Sequence, residues 1–99
     1  GFTFATQSNT TPASADMNIQ FMELQASAGG ALAAIGACTL ASVTSVSSSI
    51  SGTLAAAVVG ECYSVRTAAS KYAVVRVTSV NGADIGFDYK FQPSGSTSF

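Results

Sequence analysis

Residues 62–91 read CYSVRTAASKYAVVRVTSVNGADIGFDYKF, and this stretch decides the fold. It holds three strand-like runs, Cys62–Thr67, Tyr72–Val80 and Ala83–Phe91, joined by short turns. In the third run Ala83, Ile85, Phe87, Tyr89 and Phe91 alternate with Asp84, Gly86, Asp88 and Lys90, the period of two of a half-buried strand. Asn81-Gly82 signals a hairpin, because both residue types tolerate the positive φ of a tight turn. A two-residue loop would set Val75 opposite Asp88 and Arg76 opposite Phe87. A three-residue loop ending in a left-handed Gly82 sets Val77 opposite Ile85 and Val75 opposite Phe87, with Arg76, Asp84 and Asp88 on the other face. The second register keeps the apolar side chains together and is the one expected. Tyr63 and Val65 then extend the same apolar face, giving a C-terminal antiparallel meander.

Upstream of the meander the character changes. From Leu24 to Gly60 no side chain is charged, and Ala, Gly, Ser, Thr, Val, Leu and Ile make up almost the whole segment. Met17, Ile19 and Phe21 have strand spacing. Ala31–Cys38 can be read as a short helix or as a strand, Thr39–Val46 is β-branched and reads as strand, and Leu54–Val59 is undecided, with strands favoured throughout because helices this interrupted by Gly and Ser are weak. The expected fold is all-β, a small sandwich or partly closed barrel, with a short helix open within 26–38. Residues 16–99 form a single β domain, and residues 1–15 an N-terminal extended segment. A membrane-spanning helix needs ~20 predominantly apolar residues. Here Thr39, Ser42, Thr44, Ser45 and Ser47–Ser49 interrupt the stretch, glycines weaken a helix, and no basic residue flanks it. A buried layer of small side chains fits better than a membrane span.

Catalytic and metal chemistry find little to work with. The chain has no histidine, so serine lacks its usual base, and there is no Gly-x-Ser-x-Gly elbow. Asp84 and Asp88 lie four apart on a strand, roughly 13 Å, too far for a glycosidase pair, and a solvated face near Arg76 and Lys90 accounts for them. Gly29-Gly30 lacks the rest of a phosphate-binding motif, and the five acidic residues are too scattered for a calcium loop. The expectation is no enzyme, no cofactor and no metal. Cys38 and Cys62 are the only cysteines. Zinc would need two further ligands, so a disulfide is the favoured reading, stapling the small-residue zone to the meander.

Three segments carry a family resemblance: Tyr63-Ser-Val-Arg-Thr67, Lys71-Tyr-Ala-Val-Val-Arg-Val77 and Phe87-Asp-Tyr-Lys-Phe-Gln92. Across residues 61–95, about a third of the chain, the pattern resembles the β-meander of HmuY-type secreted haem-binding proteins. The resemblance implies a secreted bacterial β-domain and, as an alternative function, a small secreted ligand-binding module of haemophore type. Its apolar pocket would be rimmed by Tyr63, Tyr72 or Tyr89. The histidine ligands of the type member have no counterpart here.

Charge narrows the partners. Charged residues make up 9% of the chain against about 25% in an ordinary soluble domain, and the net charge is −1. Four scattered basic residues form no footprint for nucleic acid. A surface so poor in charge suits a protein packed against copies of itself. The chain begins at Gly1 without a basic, apolar signal region, as a mature secreted product would. The function expected is therefore a structural subunit of an extracellular filament or surface fibre, assembling head-to-tail by β-strand addition. Gly1–Thr11 is the candidate donor strand, and Phe2, Phe4, Thr6 and Phe99 are the candidate interface residues. Asn9 begins an Asn-Thr-Thr sequon and is a candidate glycosylation site.

Overall fold

The structure is a computed structural model that describes residues 2–3, 8–9, 17–20, 23–26, 29–47, 50, 52, 54–67, 70–81 and 84–99. Among the described residues nine strands form two antiparallel sheets. The first has the order β2-β1-β3-β4-β6, from β1 (Phe2–Thr3), β2 (Ser8–Asn9), β3 (Met17–Gln20), β4 (Glu23–Ala26) and β6 (Leu54–Ala56). The second has the order β5-β7-β8-β9, from β5 (Ala31–Ala37), β7 (Glu61–Arg66), β8 (Tyr72–Asn81) and β9 (Asp84–Gln92). The fold is all-β, a small sandwich with no closed barrel, and β7–β9 are its C-terminal meander. Among the described residues no helix is long and apolar enough to cross a membrane.

The second sheet is buried on both faces. Its odd-numbered residues Tyr63, Val65, Ala73, Val75 and Val77 meet Leu32, Leu24, Ala26 and Ala57 in the space between the sheets. Half-buried Ile85, Phe87, Tyr89 and Phe91 continue that layer along β9. Its even-numbered residues Cys62, Tyr72 and Val74 pack against a second layer, made by Val43, Val46, Ile50 and Phe99. Residues 38–47, Ile50 and the last three residues thus lie across the outer face of the sheet as a cover. A central strand buried on both sides must be apolar at successive positions, which explains the Ala73-Val74-Val75 run of β8.

One open reading is settled and two expectations change. Of the two readings open for Ala31–Cys38, the chain takes the strand: β5 is laddered to β7 from Ala31↔Arg66 to Ala37↔Glu61. Thr39–Val46 is not a strand. It makes a 3-10 turn at Leu40–Ser42 and an isolated bridge, Ser45↔Ser98, because its β-branched residues serve as cover and have no sheet neighbour. The hairpin adopts neither expected register. It pairs Asn81 with Asp84, Val80 with Ile85 and Ser79 with Gly86, then shifts so that Val77 faces Phe87, Arg76 faces Asp88 and Val75 faces Tyr89. The extra residue, Thr78, forms a bulge that brings Val80 onto the face of Val77, so both keep contact with the core. Gly86 makes room for it: a Cβ there would run into the Ser79 hydroxyl. The turn residues Gly82 and Ala83 lie outside the described residues.

Candidate interaction surface

Sequence places the charge, and packing decides what it does. Cys38 leaves β5 at one end of the cover, and Cys62 sits on the outer face of β7 opposite Arg76. The two cysteines are joined by a disulfide, with their Cα atoms 5.8 Å apart. Arg76 Nε donates to the Cys38 carbonyl at 2.9 Å. Lys90, on β9, donates to the carbonyls of Leu40 and Val43, and its Nζ lies 5.4 Å from the centre of the Phe99 ring. Backbone bonds from Val46 N–H to Thr97 O and from Phe99 N–H to Thr44 O, each 2.9 Å, tie the C-terminal residues to the cover. The solvated face expected around Arg76 and Lys90 is therefore an occupied one. Two of the four basic side chains satisfy carbonyls of a segment that has no ladder of its own.

Tyr63 joins the two sheets. Its ring is buried in the sandwich, and its hydroxyl donates to Ala56 O at 2.6 Å while accepting from Val58 N–H at 2.9 Å. Both partners belong to the exit of β6, so one side chain of the meander holds an outer strand of the other sheet. Burial pushes the hydroxyl pKa above the ordinary value of 10.0, Glu61 adds to the rise, and the Val58 N–H opposes it.

The uncharged stretch of the sequence builds one side of the molecule. It supplies β5, one outer strand of the second sheet, and β6, one outer strand of the first. The bond from Leu32 N–H to Gly52 O, 2.6 Å, brings the approach to β6 alongside β5. All the exposed large hydrophobic side chains among the described residues lie here: Ile35, Leu54, Val58 and Val59, at 44–58% exposure. A groove of about 400 Å³ opens between β5 and the cover, lined by Ala33, Ile35, Val46, Ile50 and the hydroxyl-bearing Ser45 and Ser64. Among the described residues no charged side chain lines it. Glu23 and Glu61 stand at the margins of this side, paired with Ala56 and Ala37. Exposed apolar strand edges of this kind are associated with pairing to another chain.

The residues singled out by sequence fall in different places. Cys38 and Cys62 come together as expected. Phe99 packs on its own domain, against Tyr72, Val74 and Lys90. Phe2 lies in β1, whose backbone pairs Phe2 with Asn9 and with Met17. Asn9 therefore lies in β2, the last strand of the first sheet. Phe4 and Thr6 lie outside the described residues. None of the three tyrosines lines the groove. Among the described residues no group of three or more His, Cys, Asp or Glu side chains could hold a metal ion. Sequence reasoning missed the β5 edge and the groove. The signal was the charge gap itself, which marked the segment but not which parts of it would be outermost. Compared with protein-family models, curated proteins and solved structures, the chain matches none.

Proposed function

We infer that this chain is a structural subunit of an extracellular homopolymer, built head-to-tail by addition of the N-terminal segment to the sheet of a neighbour. The observation that carries this reading is the uncharged side of the sandwich, where two outer strands and four exposed large hydrophobic side chains lie together. Such a side is costly to leave in water and free of the charge repulsion that keeps protein surfaces apart. The disulfide supports an oxidising location outside the cell. The composition of Gly1–Thr11, with no charged side chain and with Phe2 and Phe4 at strand spacing, supports its role as donor. Deletion of residues 1–11 is expected to leave a folded or aggregation-prone monomer that forms no filaments by electron microscopy. Filaments of unchanged length and symmetry after that deletion would exclude donation by this segment. An intact chain that runs as a monomer at every concentration would end the polymer reading.

A further inference from the structure

Among the described residues, the outer side of β5 carries one backbone hydrogen bond, from Leu32 N–H to Gly52 O. Peptide groups alternate in direction along a strand, so Ala34 presents its N–H and C=O to the same outer side. A bulge follows at once: the register shifts between Ala34 and Gly36, and Gly36 takes φ +105°. Ile35, in the bulge, stands 44% exposed at the wall of the groove, with Val46 and Ile50 behind it. One outward peptide group beside an uncharged apolar groove suits a short extended segment with a bulky side chain.

We propose that this edge is the acceptor for residues 1–11 of a second copy, which rests on the polymer reading above. Charge selects the occupant first. Gly1–Thr11 carries none, and neither do β5, β6 or the groove walls, so no ion is desolvated when they meet. The segment carries Phe2 and Phe4 at strand spacing, so that one ring enters the groove while the backbone bonds Ala34. The other apolar terminus, Phe99, is already packed in the cover.

Topology explains why the segment comes from another molecule. In the monomer β1 pairs with β3 at Phe2↔Met17. That pairing lies towards the end of the first sheet remote from β4 and β6, the strands that approach β5. Donor and acceptor sit on opposite sides of the sandwich, and a contact between them repeats without closing. Donation gives up the Met17 pairing and the β1–β2 pairs Phe2↔Asn9 and Thr3↔Ser8 in return for Ala34 and the groove of the next copy, so the polymer competes with the closed monomer.

The test uses the intact chain and a fluorescent peptide of residues 1–11. Ile35→Lys puts a charge on the groove wall. Ala34→Pro removes the outward N–H while leaving the ladder to β7. Thr78→Lys puts the same charge on an exposed position of β8, away from the uncharged side. The peptide should bind wild type and Thr78→Lys alike, and at least tenfold more weakly to Ile35→Lys and Ala34→Pro. Thermal unfolding and an intact Cys38–Cys62 bridge certify that each variant is folded, and Ile35→Lys decides the matter alone if Ala34→Pro is not. Equal binding to Ile35→Lys and wild type, or binding to neither, overturns the acceptor. Electron microscopy of the same proteins separates the two ideas. Filaments from Ile35→Lys equal to wild type remove the acceptor and keep the polymer, whereas no filaments from wild type remove both.

Discussion

The chain divides its charge unevenly, and its two outer strands in the second sheet show the consequence. β9 carries Asp84, Asp88 and Lys90, while β5, at the opposite edge, is Ala-Leu-Ala-Ala-Ile-Gly-Ala. Charged side chains on an edge strand deter pairing with foreign strands, and alanine and isoleucine do not. Seven of the nine charged residues lie from Glu61 onward, so one half of the sequence makes a defended edge and the other an open one. Lys90 does more than defend. It turns inward and holds the uncharged half in place through the Leu40 and Val43 carbonyls. The lesson is that the charged half, through Arg76 and Lys90, holds the cover that the uncharged half lays across it.

Breaking the covalent link between the halves should have the largest effect. Cys38 and Cys62 are separated by 24 residues, and a loop of that size contributes about 3 kcal/mol in the chain-entropy account. Replacing both with Ala, or reducing the bridge, is expected to lower the melting temperature by roughly 12–24 °C. Calorimetry with and without a thiol reductant checks this, and a reductant-insensitive transition would contradict it.

Lys90→Met comes next. It keeps the apolar stem but takes the Lys90 donor from the Val43 carbonyl and leaves the Leu40 carbonyl only the Val43 N–H, a loss of about 2 kcal/mol. Amide exchange should accelerate in residues 38–47 and stay slow in β7 and β8. Uniform acceleration would mean that the cover and the sheet unfold as one unit.

Tyr63→Phe tests the link in the other direction, from the meander to β6. It strands Ala56 O and Val58 N–H and should cost on the order of 1–2 kcal/mol. The pH dependence has a defined sign. A raised folded-state pKa means that the contribution is fully present below pH 10, the ordinary tyrosine value, and is lost as pH rises through the higher folded value. Wild type should therefore lose stability in alkali more steeply than Tyr63→Phe. Parallel denaturant midpoints for the two proteins up to pH 11 would refute this.

The smallest effect is expected at Ser70, which takes φ 59° in the turn between β7 and β8. Ser70 N–H bonds Thr67 O, and Thr67 N–H bonds Lys71 O, so the turn holds a conformation that glycine adopts without strain. Ser70→Gly should change stability by less than about 1 kcal/mol, in the stabilising direction. Denaturant titration measures it.

Sequence alone was enough for the meander, since three short strand-like runs separated by turn signals, the last alternating with period two over Ala83–Phe91, leave few other arrangements. It also determined the candidate disulfide, because two cysteines without histidine have few other uses. Three features were decided by tertiary structure alone. The strand at Ala31–Ala37 is one, because alanine and glycine carry no strong preference and the neighbour β7 supplies the ladder. The register of β8 and β9 is another, set by a bulge at Thr78 that lets Val80, Ile85 and Phe87 all reach the core. The cover is the third. Nothing local makes Thr39–Val46 irregular. Its conformation is imposed by the disulfide and by Arg76 and Lys90, whose hydrogen bonds reach across 38 to 50 residues of chain. Local pattern encodes which face of a strand is apolar, whereas what covers that face depends on groups that only the folded chain brings together.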